Sequence, residues 1–132
     1  MIFVDTSFWV ALHNGRDSRY GDAAALLRRH AGRQLVTTNH VRGETWTFLR
    51  RRAGHRAAVL FLDVLERSPR VRFTQVSQQA EQRALEWLRR HDEREYSFVD
   101  ATSFDVMRTL RLREALAFDG NFTAVGYLEL RP

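Results

Sequence analysis

Short, unbroken or alternating apolar runs recur along this chain between longer stretches whose apolar residues fall at helical spacing. Ile2-Phe3-Val4 is such a run and ends in Asp5, as a buried strand does. Thr6 to Leu12 then reads as a short helix broken by Asn14-Gly15, and Ser18 to His30 as a second, with Leu26 and Leu27 inward and Gly32 past its end. Leu35-Val36-Thr37 is the second strand. Asn39 is placed to cap a helix reaching Arg52, with Val41, Thr45, Phe48 and Leu49 at helical spacing. Ala57 to Arg67 gives another helix, with Val59, Leu60, Phe61 and Leu62 mostly buried, and Ser68-Pro69 stops it. Val71 to Val76 alternates as a third strand. Ser77 opens a helix with Ala80, Ala84, Leu85 and Leu88 inward; Ser97 opens the next, with Ala101, Phe104, Met107 and Leu110 following. Glu114 to Phe118 is a fourth strand, and Val125 to Leu130 a candidate fifth.

Strands alternating with helices predict an α/β sandwich with a mainly parallel sheet of four to five strands. No repeat, low-complexity tract or linker interrupts the pattern. The 132 residues suffice for one core, so the expectation is a single domain over 1–132. A hydrophobic fraction of 44% argues against disorder. No apolar run is long enough to span a bilayer, and Asp5 falls where a signal peptide would build its apolar stretch. Without cysteine there are no disulfides, zinc thiolates or thiol nucleophiles. The expectation is a cytoplasmic protein with no membrane partner. All 21 basic residues are arginine, and the net charge of +5 favours a polyanionic partner such as nucleic acid, although an arginine-biased composition alone gives the same charge. The absence of lysine removes P-loop and Schiff-base chemistry.

Four acids change this picture. In such a sheet, ligands gather at the carboxyl ends of strands and at the adjacent helix starts. Asp5 and Asp119 each follow a strand candidate, Asp100 lies at a helix start, and Glu44 lies in the first turns after the second strand. Each also has an ordinary structural reading. Asp5 can cap the helix after it, Ser97 and Asp100 can form a capping box, Asp119-Gly120 can be a hairpin turn, and Glu44 can face solvent. Helical geometry weighs against two of these readings: Glu44 lies ~40° from Phe48, and Asp100 ~40° from Phe104, at about 100° per residue. Two carboxylates ~4 Å apart repel by roughly 4 kcal/mol at an effective dielectric of 20. A hard divalent cation relieves that repulsion.

Val4-Asp5-Thr6-Ser7, Glu44 in the third helix, Ser97-Phe98-Val99-Asp100-Ala101 and Phe118-Asp119-Gly120-Asn121-Phe122 together resemble the PIN-domain family, closest in pattern to VapC-type toxins of type II toxin–antitoxin pairs. The ordered set covers nearly the whole chain. The resemblance implies a PIN-like, flavodoxin-like three-layer sandwich and an Mg²⁺- or Mn²⁺-dependent endoribonuclease. Asp5, Glu44, Asp100 and Asp119 would be the catalytic, metal-holding acids, with Thr6 and Ser103 ordering waters behind them. It further implies an RNA substrate, a VapB-like antitoxin and a homodimer. Two glycines depart from expectation: Gly43 sits inside a helix, as if another backbone passed close by, and Gly120 loosens the turn after Asp119. An acidic pocket needs flanking cations to admit RNA. Arg50, Arg51, Arg52, Arg89, Arg90, Arg108, Arg111 and Arg113 are candidates for phosphate contacts, and Trp9, Trp46 and Phe122 for base stacking.

Rival chemistries lack their residues. A phosphatase with an aspartate nucleophile needs an acid two residues after Asp5, where Ser7 stands, and a receiver domain needs a lysine. The five histidines make no H-x-x-x-H or H-x-H pair for zinc, and no G-x-S-x-G or G-x-G-x-x-G appears. The alternative from another class is a catalytically silent RNA-binding or scaffolding PIN-like domain. Intact acids at all four positions argue against it.

Overall fold

The computed structural model describes residues 1–132. Its centre is β1 (Ile2–Val4), every residue of which is buried. The chain continues through α1 (Thr6–His13), α2 (Tyr20–Arg29), β2 (Leu35–Thr38), α3 (Asn39–Arg52), α4 (His55–Arg67), β3 (Val71–Thr74), α5 (Gln78–Arg90), α6 (Phe98–Thr109), β4 (Glu114–Leu116), α7 (Asn121–Ala124) and β5 (Leu128–Glu129). The strands form one sheet in the order β3-β2-β1-β4-β5, parallel throughout. Phe3 pairs with Val36 on one side and Ala115 on the other, which sets the register at the centre.

The chain moves outward from β1 to β3 and then crosses back to β4. Right-handed crossovers therefore carry α1–α4 and α5–α6 to opposite faces, and α1 packs with α2, α3 and α4 while α5 packs with α6. Covering both faces is why β1 and β2 read as unbroken apolar or small runs. The core is aromatic at its heart: Phe3, Phe8, Trp9, Phe61, Phe104 and Phe122 are all buried, and Phe104 meets Phe122 edge-on at 5.0 Å.

Several expectations shift. Thr38, not Asn39, caps α3: its hydroxyl accepts from the Val41 amide at 3.1 Å, because Thr38 keeps strand backbone and the helix starts immediately after it. Asn39 instead accepts from the Val76 amide at 2.7 Å, pinning the segment after β3. In α4 the buried residues are Ala58 and Phe61, and Leu60 is 52% exposed, since it lies ~100° round the helix from Phe61. In α5 the large inward side chain is Trp87, in line with Ala80 and Ala84 and edge-on to Phe104; Leu85 faces outward. The fourth and fifth strands are shorter than their apolar runs, and α7, between them, lies where the apolar pattern showed no helix. No helix is long and apolar enough to cross a membrane.

Candidate active site

Strand order reverses between β1 and β4, and this switch point opens a crevice at the strands' carboxyl ends. A cavity of about 450 Å³ lies there, lined by Asp5, Glu44, Asp100 and Asp119 together. Their ordinary structural roles are also real. Asp5 caps α1, with Oδ2 accepting from the Ser7 amide at 3.2 Å and the Ser7 hydroxyl at 2.7 Å. Asp100 completes a capping box with Ser97, and its Oδ2 also accepts from Asn121 Nδ2 at 3.0 Å. Capping holds each carboxylate rigidly by one oxygen. The other oxygen of Asp5 and of Asp100 makes no hydrogen bond within the chain.

Asp119 is not in a hairpin turn. It joins β4 to α7, and its Oδ1 accepts from the Asn121 amide at 3.0 Å. Gly120 does not loosen this turn but makes it possible: φ is +80°, the left-handed region that costs a side-chain-bearing residue about 1–2 kcal/mol. Buried Glu129 of β5 closes the loop, accepting from the Gly120 amide at 3.2 Å and the Thr123 amide at 2.9 Å. Gly43, by contrast, has no neighbour within 4 Å of where a Cβ would stand, so no backbone approaches it.

Electrostatically the pocket is under tension. Burial, with Asp119 and Asp100 nearby, pushes the Asp5 carboxyl up to about 8. Burial and the Asp100 and Glu129 charges push Asp119 up to about 6, against the Asn121 amide, which lowers it. Glu44 and Asp100 are raised as well, chiefly by burial; the Ser97 and Asn121 donors at Asp100 partly offset this there. None of the four acids enters an ion pair. No three carboxylates close around a single point tightly enough to ligate an ion unaided.

Asp17, Glu95, Ser7, Asn121 and Arg19 also line the cavity. The Asn121 side chain bridges Asp100 to Arg94, whose Nε donates to Asn121 Oδ1 at 2.9 Å. Asn121 was visible in the F-D-G-N-F string and Ser7 two residues after Asp5. Arg19, Arg94, Asp17 and Glu95 carried no local signal, because loops bring them in. The Thr6 hydroxyl lines the cavity and has no hydrogen-bond partner; that of Ser103 is also unpartnered, but it is fully buried and outside the lining.

Of the arginines expected to flank the pocket, Arg52 lines it, its guanidinium 4.7 Å over the Phe48 ring, while Arg50 and Arg51 are exposed on the same helix. Arg108, Arg111 and Arg113 do not flank it. They line a separate cavity, because α6 carries the chain ~12 Å from Asp100 to Arg108 at 1.5 Å per residue. Trp9 and Phe122 are buried in the core and unavailable for stacking, and Trp46 packs edge-on against His55.

A family model described as PIN domain matches residues 2–127. The chain belongs to the PIN-domain family. Two curated relatives, from Mycobacterium tuberculosis strains CDC 1551 / Oshkosh and ATCC 25618 / H37Rv, are each 55% identical over 132 residues, covering 100% of this chain and 99% of theirs. Both are named 23S rRNA-specific endonuclease VapC20. A crystal structure of Mycobacterium tuberculosis VapC20, described as a sarcin-ricin loop cleaving toxin, superposes with a TM-score of 0.94 at 55% identity, with both chains fully covered. The four acids thus lie in the switch-point crevice of a PIN-domain fold.

Proposed function

We infer that this chain, working as one domain over 1–132, is an endoribonuclease and the toxin half of a toxin–antitoxin pair, and that its substrate is ribosomal RNA. The observation that carries the reading is the convergence of Asp5, Glu44, Asp100 and Asp119 on one crevice, none of them in an ion pair with an arginine or histidine. Full-length similarity to relatives named as rRNA endonucleases supports the substrate class.

The donor set suits Mg²⁺ or Mn²⁺. It is all oxygen and partly buried, its carboxylates are raised chiefly by burial and, at Asp5, Glu44 and Asp119, also by neighbouring acids, and several oxygens remain free. Hard divalent ions of this size take one or two carboxylates directly and keep several waters, through which the remaining acids would reach the ion. Asp5, Glu44, Asp100 and Asp119 would hold the metal, which would acidify a water and offset charge at the phosphorus. The chain's own contribution is positional: Ser7 and Ser97 fix Asp5 and Asp100, and Asn121 ties Asp100 to the Asp119 loop. The unpartnered Thr6 hydroxyl is the one placed beside Glu44 to hold a water; Ser103, fully buried outside the cavity lining, is not placed to hold one at the crevice. Arg52, with Arg50 and Arg51 beside it, supplies positive charge at the rim for the RNA backbone. As a toxin it would be silenced by a VapB-like antitoxin and would act as a homodimer in the cytoplasm.

The test is to incubate the purified protein with ribosomal RNA and map the new ends. Wild type should cut at one discrete site with Mg²⁺ or Mn²⁺ present and stop on chelation, and Asp100→Asn should cut at least 100-fold more slowly at a matched melting temperature. Equal cutting by Asp100→Asn would remove Asp100 from the chemistry. Intact binding without cleavage by wild type would favour the silent RNA-binding domain.

A further inference from the structure

The arginines left away from the acidic crevice are not scattered. Arg108, Arg111 and Arg113 line a cavity of about 760 Å³ with Tyr127 and the exposed Leu128. A second cavity of about 460 Å³, beside Trp87, is lined by Arg83, Arg90 and the same Arg108. Arg108 joins the two into one trough along α5, the end of α6 and the start of β4. Neither cavity shares a lining residue with the acidic crevice.

The trough's charge is only partly spent internally. Of the acids lining it, Glu86 pairs with Arg89 and Glu114 with Arg33, while Asp105, buried beneath it, takes Arg83 and one edge of Arg108. Arg90, Arg111 and Arg113 enter no ion pair. A second observation concerns the backbone. Arg111 is the one non-glycine residue with positive φ, at +56°. It closes α6 in a Schellman motif, with Leu112 N donating to Met107 O at 2.8 Å and Arg111 N to Arg108 O at 3.2 Å. Glycine ordinarily fills that position because it bears the left-handed conformation without strain. Here an exposed arginine fills it and enters no ion pair, so its side chain is free for a contact outside the protein.

We propose that this trough is a second RNA-backbone site, in which Arg90, Arg108, Arg111 and Arg113 hold phosphates of a structured RNA at a distance from the bond being cut. The inference rests on the reading of the protein as an RNA-cleaving enzyme and extends it: the substrate is a folded RNA large enough to reach both sites, rather than any short single strand. Phosphates position without reading bases, so the trough supplies affinity and orientation, while the crevice region supplies the choice of bond.

The test replaces Arg90, Arg111 and Arg113 with glutamine, singly and together. Arg108 is spared because Asp105 depends on it. Binding is titrated at several salt concentrations in Ca²⁺, using a long ribosomal stem-loop and a short oligonucleotide sized to the crevice. Each lost contact should flatten the slope of log K against log salt by about 0.7–0.9, which is about five- to eightfold weaker binding at 0.1 M relative to 1 M salt. The change should appear for the stem-loop and not for the short strand. Unchanged slopes for the triple variant would make the trough a solvated face and overturn the proposal. So would an equal loss on both RNAs, or a loss of binding to an acidic protein partner with RNA binding intact. Because binding is the readout, failure of the cleavage reading would leave this test decisive.

Discussion

Asp5 combines two roles that pull in opposite directions, and the balance between them can be measured. Its carboxylate caps α1, which stabilises the fold, while its burial beside Asp100 and Asp119 raises its affinity for a proton to about 8. An acid that binds its proton more tightly when folded than when unfolded contributes stability that is whole below about pH 4, its unfolded value, and is lost as pH rises through about 8. Asp5→Asn retains a good cap and removes the charge. Without metal, the variant should match wild type near pH 4 and exceed it at pH 8, on the order of a few kcal/mol. Chemical denaturation across that range checks this; a difference independent of pH would contradict it. The rim arginines are a plainer case: Arg52→Gln should leave folding intact and weaken RNA binding two- to fivefold, read by salt titration, as expected for loss of one phosphate contact.

At the scale of elements, the loop from Asp119 through α7 to Glu129 is the part of the site that the apolar pattern did not reveal. Four residues of helix between two short strands bury only Phe122, too little for a periodic signal. What holds the loop is polar and long-range: the Glu129 carboxylate, nine residues on, satisfies the Gly120 amide. By contrast, Asp5 and Asp100 were legible because strand ends and capping serines announce themselves within a few residues. Glu44 was legible because helical spacing set it beside the apolar stripe, and it is half-buried as that spacing implies. The substitution Gly120→Ala should cost about 1–2 kcal/mol through its left-handed backbone and lower the melting temperature by several degrees. It should also slow cleavage, since Asp119 and Asn121 hang from the same turn. A variant as stable and active as wild type would show that the turn tolerates another geometry.

Across the whole molecule, charge is sorted rather than spread. A chain with a net charge of +5 confines six acids to the crevice at the strands' carboxyl ends, with Arg19 and Arg52 the arginines among its lining residues, and leaves a basic trough elsewhere. The parallel sheet and its strand-order reversal make this possible: they bring residues 5, 44, 100 and 119 together although nearly the whole chain separates the first from the last. The sheet itself was readable from strand and helix alternation. The separation of Arg108 from the crevice was not, because it depends on which end of α6 faces which sheet edge. The central claim is that the four acids form one divalent-cation site, and direct Mn²⁺ titration by calorimetry at pH 7.5, about a unit above the ordinary histidine range, tests it without any RNA. Wild type should bind Mn²⁺ saturably with release of protons, and Asp5→Asn and Asp100→Asn should each weaken binding at least tenfold while Arg111→Gln leaves it unchanged. Equal Mn²⁺ affinity in wild type and both aspartate variants would contradict the account.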